Sequence, residues 1–280
     1  MVDLQERILD LPESAERLQR RHLFGLDFVD ATSLEPVIDA LMSGQTQPTR
    51  WDRVPVVVTP NVDQLVHLDR RTDTVSSELI HSAVMVLPDG QPVVWASRWL
   101  GRPLGARLAG STLVHEMWPR IVAKGARSVV IASSERVAAL VDADGGHCHA
   151  IVAPLIRLDD RAGLDAFVDT CAAFIDEVDA EFVFVTLGYP KQCHIIAGLL
   201  DRLPSSPTTT FLAVGASFDM HYGLMRRAPQ WVQRFGMEWA FRLMQEPRRL
   251  FRRYLIDDPS FFRIVTRENR RLRSLRLDPS

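Results

Sequence analysis

The feature that most constrains the fold of this chain is a regular alternation of apolar runs, polar turns and amphipathic stretches. VPVVV at residues 54–58 is followed by the turn TPNVD and then by a stretch with helical periodicity. Similar units recur at residues 82–101, 125–143 and 180–203. Strands that alternate with helices in this way are typical of parallel sheets covered by helices. The sequence therefore predicts an α/β fold, with a Rossmann-like, mostly parallel sheet flanked by helices.

Three segments are predicted along the 280 residues. Residues 1–22 form a helical leader, in which residues 4–21 have apolar positions at helical spacing. Residues 23–228 form the α/β domain that would carry the activity. This domain begins with HLFGLDFVDA, predicted as one strand, and continues with a helix that Thr32, Ser33 and Glu35 would cap. Residues 229–280 form an Arg-rich helical appendage.

Composition restricts the classes of function. The 33 Lys and Arg nearly balance the 35 Asp and Glu, so no overall basic field attracts nucleic acid, and no nucleic-acid partner is expected. The three cysteines are widely spaced and odd in number, which is typical of a reducing cytoplasm rather than of a disulfide framework. No apolar run reaches the roughly 18 residues of a membrane-spanning helix, so we expect any membrane contact to be at the surface.

Several classes of α/β enzyme are disfavoured by motifs that the chain lacks. There is no GxGxxG after the first strand and no GxxxxGK followed by Ser or Thr, which argues against dinucleotide dehydrogenases and P-loop NTPases. No GxSxG nucleophile elbow is present. His147, Cys148 and His149 do not form a closed set of metal ligands, and no metal site is predicted.

The turns that follow the strands are the candidate sites, because ligands of such sheets bind beyond the carboxyl ends of the strands. Four turns carry polar chemistry, at residues 59–63, 88–90, 188–192 and 215–219. Asp89 follows the apolar strand SAVMVL, where a carboxylate can act as a general base, although Pro-Asp-Gly is also a common plain turn. Thr59 and Asn61 can orient a sugar or a phosphate, or Asn61 can simply cap the next helix.

A cation and a predicted helix start suggest a diphosphate contact. Arg107 precedes Gly-Ser-Thr at residues 110–112. Arg107 can bind a diphosphate through two nitrogens, while Ser111 or Thr112 caps a helix whose amides face the anion. The alternative is a solvated Arg and an ordinary cap.

The turn at residues 188–192 is predicted to be a loop over the sheet edge. Gly188 and Pro190 would shape this loop, which carries Lys191 and Gln192. Lys occurs elsewhere only at Lys124, so its presence here favours contact with a polar ligand over a plain surface loop.

Taken together and in order, these turns resemble those of the WecG/TagA/CpsF family of bacterial glycosyltransferases, glycosyltransferase family 26. The resemblance spans residues 25–262. It rests on TPN at 59–61, PDG at 88–90, Arg107 with GSTL, GYPKQ at 188–192, GASFD at 215–219, RAPQW at 227–231 and MEWAFRLMQEPRRLFRRY at 237–254. The last two segments are the most diagnostic.

The resemblance implies an inverting, metal-independent transfer of a sugar, N-acetylmannosamine-like or a hexose, from a UDP donor. The implied acceptor is a sugar on undecaprenyl diphosphate, and the product would enter cell-surface polysaccharide synthesis. By motif match, Asp89 would be the base, and Thr59 and Asn61 would line the sugar site. No cofactor beyond the UDP-sugar substrate is implied. The donor would be bound by Arg107, Gly188, Lys191, Gln192, Gly215, Phe218 and Asp219.

The C-terminal arginines are implied to meet the acceptor diphosphate and to hold the protein against the inner leaflet. These are Arg227, Arg242, Arg248, Arg249, Arg252 and Arg253. The predicted membrane-facing surface continues through Arg263, Arg267, Arg270, Arg271 and Arg273, with aromatic residues such as Trp231, Trp239, Phe261 and Phe262. The alternative is that these aromatic residues belong to a core. The expected location is cytoplasmic and peripheral at the inner face of the bacterial plasma membrane, and a homo-oligomer is left open.

Three positions depart from the family pattern. Cys193 stands where the family has Glu after PKQ, Thr112 stands where a GSDL-like segment has Asp, and Ala-Ser-Ser at 132–134 replaces a Gly-rich turn. The changes at Cys193 and Thr112 leave a second interpretation, a non-catalytic member that binds a nucleotide sugar or takes part in a polysaccharide assembly complex. UDP release from donor and acceptor would separate the two.

Overall fold

The protein, described here by a computed structural model, forms one eight-stranded sheet within residues 18–43, 53–203, 209–225, 232 and 259–277. The spatial order is β1-β2-β4-β3-β8-β7-β5-β6. Apart from the antiparallel β1–β2 pair, neighbouring strands are parallel, as predicted. The strands are β1 (Arg20–Leu23), β2 (Leu26–Val29), β3 (Val54–Val58), β4 (Ala83–Val86), β5 (Ser128–Ala132), β6 (Cys148–Val152), β7 (Phe182–Val185) and β8 (Thr210–Ala213).

Helices cover both faces of the sheet, which confirms the predicted α/β class. They are α1 (Glu35–Met42), α2 (Val62–Arg70), α3 (Thr74–Ser82), α4 (Gln91–Trp99), α5 (Gly110–Lys124), α6 (Glu135–Ala143), α7 (Arg161–Val178), α8 (Lys191–Arg202), α9 (Ser217–His221) and α10 (Pro259–Leu277).

The strands divide the apolar side chains between two cores, because successive residues of a strand point to opposite faces. Val183 joins the core formed with α2, α3, α4, α7, α8 and α10, whereas Phe184 joins the core formed with α1, α5, α6 and α9. Both faces are therefore buried, and this explains why the central strands are almost continuously apolar.

The run HLFGLDFVDA, predicted as one strand, lies in a hairpin of two. Phe24 and Gly25 have φ values of 54° and 80°, and together they form a two-residue turn between β1 and β2. Two positive φ values are typical of the type I′ turn, which matches the twist of a hairpin. The run was interpreted as one strand because Phe is not a usual residue at such a position.

Two predictions near the N-terminus need correction. The predicted helix at residues 4–21 does not include Arg20 and Arg21, which belong to β1, and residues 4–17 lie outside the described residues. Helix α1 is present, but its N-cap is Leu34 and no side chain caps it, so the box predicted for Thr32, Ser33 and Glu35 does not form.

Helix α10 packs against the α/β domain. Phe261, Ile264 and Val265 are buried in the same core as α2, and the ring centroids of Phe261 and Phe24 are 5.6 Å apart. Arg267 forms an ion pair with Asp69 of α2. This part of the predicted appendage is therefore a docked helix. The predicted boundaries at 22/23 and 228/229 stay predictions.

Candidate active site at the carboxyl edge of the sheet

The predicted turns gather at the carboxyl edge of neighbouring strands. β4, β3, β8 and β7 are adjacent in that order, so the turns that follow them lie side by side. The turn after β3 is bonded to the turn after β4, since Leu87 N donates to Val58 O at 2.8 Å and Asp89 N donates to Pro60 O at 3.2 Å. These two bonds hold the backbone of Asp89 beside the Thr-Pro-Asn segment.

Asp89 lies between the end of β4 and the start of α4, and its side chain is partly buried. Gly90 has a φ of 96°, a positive value that glycine adopts readily in a turn. A Cβ placed on Gly90 would lie 3.9 Å from the Cβ of Asn61. Asn61 and the turn of Asp89 are therefore close neighbours, as the predicted sugar site requires.

Asn61 caps helix α2. Its Oδ1 accepts a hydrogen bond from Gln64 N at 3.3 Å, which confirms the capping role considered for this residue. The amide nitrogen of Asn61 is not the capping atom, so the cap is compatible with the predicted role in orienting a sugar.

Helix α5 begins against the same edge. Leu108 N donates to Pro88 O at 2.9 Å, which brings the chain before α5 alongside the Asp89 turn. At the first residue of α5, a Cβ on Gly110 would lie 3.0 Å from Thr59 Oγ1 and 3.5 Å from Ser217 Oγ. Three distant parts of the chain therefore meet at Gly110, and the absence of a side chain allows this close contact.

Three helix ends place partial positive charge at this edge, whereas α2 and α9 have Asp63 and Asp219 in their first turns. α4, α5 and α8 all begin at it, and none has an acidic residue in its first turn. Their backbone dipoles place partial positive charge at these ends. Neither Ser111 nor Thr112 caps α5 as predicted. The N-cap is Ala109, with no side-chain cap bond, so both residues lie in the first turn.

Residues 188–192 were predicted to form a loop. The prediction is wrong for Lys191 and Gln192, which begin helix α8. Gly188 lies in the preceding turn, and its carbonyl accepts from Gln192 N at 3.4 Å. Gln192 is only 5% exposed, and its Oε1 accepts from Gly215 N at 3.2 Å. Gln192 therefore ties the turn after β7 to the turn after β8.

Phe218 and Asp219, both predicted to bind the donor, face different surroundings. Phe218 is fully buried, with ring centroids 4.9 Å from Trp118 and 5.4 Å from Phe184, so its side chain belongs to the core rather than to the open edge. Asp219 is partly buried, and its Oδ2 accepts from Ser133 Oγ at 3.3 Å. The carboxylate of Asp219 is thereby linked to the turn after β5.

Two serines of the site were missed by the sequence interpretation. Ser217, the first residue of α9, is buried and donates to Val214 O at 2.5 Å, and its oxygen lies next to Gly110. Ser133 contacts Asp219 as described above. A signal was available in the sequence, since both follow apolar strands at the carboxyl edge, but serine in such turns is common.

Cys193 lies in the first turn of α8, with its side chain in the core. It is 1% exposed in the core, and burial raises the pKa of its thiol to about 12. The nearby Asp73 accepts from His194 Nε2 at 2.9 Å and connects α3 with α8. The change from the family's Glu to Cys193 therefore alters a helix contact, and no described contact connects its side chain with Asp89 or Thr59.

Only some of the arginines that were predicted to bind the ligands or the membrane lie within the described residues. Arg107 is partly buried in the segment before α5, beside the Asp89 turn. Arg227, Arg242, Arg248, Arg249, Arg252 and Arg253 lie outside the described residues, as do Trp231 and Trp239. In α10, Arg267 and Arg271 form ion pairs within the protein, with Asp69 and Glu268. Phe261 is buried, so it is not an interfacial aromatic residue, whereas Phe262 is 75% exposed.

The described residues contain neither a metal-binding cluster nor a membrane-spanning helix. Among the residues described, no group of three or more His, Cys, Asp or Glu side chains is placed to hold a metal ion. None of the described helices is long and apolar enough to cross a bilayer. Metal independence stays a prediction.

Comparison with known proteins agrees with this architecture. The profile of the family described as "Glycosyl transferase WecG/TagA/CpsF family" matches residues 21–275. A relative from Bacillus spizizenii W23 is 26% identical over 256 residues, covering 90% of this chain and 93% of the relative. A relative from Bacillus subtilis 168 is 28% identical over 203 residues, covering 69% of this chain and 72% of the relative.

A third relative, from Staphylococcus aureus MW2, is 24% identical over 262 residues, covering 90% of this chain and 94% of its own. All three are named N-acetylglucosaminyldiphosphoundecaprenol N-acetyl-beta-D-mannosaminyltransferase. The family match extends over most of the chain and includes each of the described turns. The chain therefore belongs to the WecG/TagA/CpsF family and is a glycosyltransferase.

Proposed function

We propose that this glycosyltransferase moves an N-acetylmannosamine-like sugar or a hexose from a UDP-sugar to a sugar on undecaprenyl diphosphate, in cell-surface polysaccharide synthesis. The observation that carries the proposal is the convergence of Asp89, Thr59 and the first turn of α5 at one sheet edge. The names of relatives that cover 90% of the chain support the same acceptor chemistry.

In this proposal Asp89 is the general base. An inverting transfer requires a base to take the proton of the acceptor hydroxyl as its oxygen attacks the anomeric carbon. The bond from that carbon to the acceptor oxygen forms while its bond to the UDP oxygen breaks on the opposite face. The carboxylate of Asp89 is suited to this step because its backbone is fixed against Pro60 and its neighbours Thr59 and Asn61 can position the sugar.

The departing UDP gains negative charge on its β-phosphate, and the helix ends are suited to stabilise it. α5 is 15 residues long, has no acidic residue in its first turn and has no side-chain cap. Backbone N–H groups at such an end bind phosphate. Lys191 at the start of α8 and Arg107 before α5 add full positive charges near the same edge. We propose that these groups do the work that a metal ion does in other transferases.

Gln192 is proposed to contact the donor through one end of its amide. The Oε1 atom is engaged by Gly215 N, so the NH₂ group is the part that can donate to a nucleotide or sugar oxygen. Since the side chain is buried and held by this bond, its donor is fixed in place before the ligand binds. Gly188 and Gly215 would shape the two turns, and Asp219 would contact the donor from the side of Ser133.

We further propose that the protein works at the inner face of the plasma membrane. An acceptor carried on a polyprenyl diphosphate is anchored in the bilayer, so we expect the enzyme to reach it at the membrane surface. The roles of Arg227, Arg242, Arg248, Arg249, Arg252 and Arg253 in meeting the acceptor diphosphate stay predictions.

The proposal is tested by incubating the full chain with UDP-sugars and a lipid-linked N-acetylglucosaminyl diphosphate. We expect UDP release and a lipid product heavier by one sugar residue, in the presence of EDTA as well as without it. A reaction without acceptor is the control for simple hydrolysis. Failure of every UDP- and GDP-sugar to extend the lipid would contradict the proposal. Loss of transfer in EDTA, restored by a divalent cation, would contradict only the metal independence.

A further inference from the structure

Helix α4 exposes two large aromatic side chains to solvent. Trp95 is 47% exposed and Trp99 is 64% exposed. Within the described residues, Leu155 at 91% and Phe262 at 75% are the other large apolar side chains with such exposure. Leu155 lies between β6 and α7, and Phe262 lies in α10. The concentration of two tryptophans on one nine-residue helix therefore marks a distinct surface.

The exposed residues of α4 form one stripe. Trp95, Arg98 and Trp99 are exposed and spaced as i, i+3 and i+4, and positions with this spacing share a helix face. Arg102 is also exposed and follows the end of α4, after Gly101 with its φ of 69°. The opposite face is apolar and buried in the core. We call these four residues the α4 stripe.

The segment that carries the α4 stripe contains only positive charges, and the acid that contacts it, Asp30, accepts from Gly105 N and is paired with Arg21. Between Gly90 and His115 the chain contains Arg98, Arg102 and Arg107, and no Asp or Glu. Tryptophan favours the boundary between lipid headgroups and acyl chains, and arginine favours the phosphates at the same level. A helix with an aromatic and basic outer face is therefore suited to lie on an anionic bilayer.

We propose that the α4 stripe is a docking surface for the anionic face of a lipid bilayer. This inference rests on the proposed function, because it specifies how the enzyme reaches a membrane-anchored acceptor. α4 starts at the residue after the Asp89–Gly90 turn, and with a rise of 1.5 Å per residue Trp95 and Trp99 lie about 8 and 14 Å along the helix from Gly90. A bilayer on the stripe would thus be close to the candidate base.

The stripe is better suited to a bilayer than to a second copy of the chain. A two-fold interface joins the same patch on both copies, so one centred on this face would place Arg98 and Arg102 of one copy near the same arginines of the other. Like charges brought together in this way repel. Lipid phosphates neutralise the same arginines and leave both tryptophans in contact with apolar material.

The first test measures partition of the full chain onto phosphatidylcholine vesicles with and without phosphatidylglycerol. We expect the double change Trp95→Ser/Trp99→Ser to weaken partition at least tenfold. Each Arg removed, at Arg98 or Arg102, should weaken binding to anionic vesicles by about fivefold, and less at high salt. Leu155→Ser and Arg136→Glu are the matched controls on exposed positions elsewhere, and we expect them to bind as the wild type does. Wild-type partition by the stripe variants would overturn the proposal.

The second test measures whether the surroundings of the α4 stripe become apolar when lipid is added. The three cysteines of the chain are buried, so a new cysteine at Trp99→Cys can be labelled selectively with an environment-sensitive dye. We expect a blue shift of the dye when anionic vesicles are added, and none for Leu155→Cys. A shift that depends on protein concentration without lipid would show that a second copy covers the stripe, and would contradict bilayer docking.

The third test separates this inference from the proposed function. The Trp95→Ser/Trp99→Ser variant should keep its turnover on a short-chain, water-soluble acceptor and lose at least tenfold on an acceptor embedded in vesicles. Equal loss on both acceptors would overturn the docking role. If the wild type used neither acceptor, the proposed function would fail, while the partition and dye results would still decide whether the stripe binds lipid.

Discussion

At the scale of single residues, Gly110 is the point where the site is most tightly assembled. A Cβ at this position would lie 3.0 Å from Thr59 Oγ1, a distance shorter than ordinary van der Waals contact. We predict that Gly110→Ala displaces Thr59 by a few tenths of an ångström and lowers kcat/KM about tenfold, because reaction rates depend steeply on alignment. The free energy of unfolding should change little, since Ala is favoured in helices.

The matched control for this change is Gly146→Ala, where a Cβ would meet nothing within 4 Å. Steady-state kinetics with the lipid acceptor provide the measurement. Unchanged kcat/KM in the Gly110 variant, with the fold intact, would show that Thr59 is not held in a demanding position.

Asp73 provides a residue-scale prediction about stability. It caps α3, where it accepts from Ser76 and from His194 Nε2. Burial raises the pKa of Asp73, but these hydrogen bonds outweigh it and hold the pKa below 3.8. A lowered pKa in the folded state stabilises the protein above the unfolded pKa, and this stabilisation is lost as pH falls through the folded pKa.

We therefore predict that Asp73→Ala lowers the free energy of unfolding by about 1–2 kcal/mol at pH 7, and that the difference from wild type shrinks in acid. Urea unfolding at several pH values measures this. Asp176→Ala, at an exposed position of α7, is the control and should be nearly neutral. A difference between Asp73→Ala and wild type that stayed constant below pH 3.8 would contradict the assigned role of the carboxylate.

At the scale of elements, the recurring strand–turn–helix units were predicted, but β1 and β2 were predicted as one strand, α3 was not predicted, and several helix ends were wrong. Val54–Val58 is a strand as predicted, because a run of buried β-branched residues bounded by polar turns is a strong signal. The capping residues predicted for α1 and α5 were wrong. The N-cap residues are Leu34 and Ala109, and neither makes a side-chain hydrogen bond to its helix. Where tertiary contacts fix a helix end, the usual capping residues are not required.

Helix α10 permits a matched prediction with neighbouring residues. Phe261 is 6% exposed and contacts Phe24, whereas Phe262 is 75% exposed. We predict that Phe261→Ala lowers the free energy of unfolding by about 3 kcal/mol, because it removes a buried ring from the contact between α10 and the domain. Phe262→Ala should change it by less than about 0.5 kcal/mol. Denaturant unfolding compares the two, and equal effects would contradict the described docking of α10.

At the scale of the whole molecule, the α/β class and the mostly parallel sheet followed from the alternation of apolar runs and helical periodicity. The strand order did not. β3 lies between β4 and β8, although β8 comes about 150 residues after β3 along the chain. Such a pairing depends on which distant faces fit together, and periodicity carries no information about this.

The same limit applies to the site. Asp89, Thr59 and Asn61 could be placed at one edge from the sequence, because the carboxyl ends of parallel strands meet there. Three other features could not be predicted, since each depends on how α5, α8 and α9 approach the sheet. They are the burial of Phe218, the hydrogen bond from Gly215 to Gln192 and the contact of Ser217 with Gly110. Motifs identified the region, and three-dimensional contacts determined which side chains face it.

The central claim is that Asp89 removes the proton of an acceptor hydroxyl during sugar transfer, and the most direct measurement is the turnover of Asp89→Asn. The amide keeps the size of the side chain and cannot act as the base. With a lipid-linked acceptor and a UDP-sugar that the wild type uses, we predict that kcat falls by about 10²–10⁴-fold while the melting temperature and donor binding stay close to those of the wild type. Turnover near the wild-type value would contradict the account.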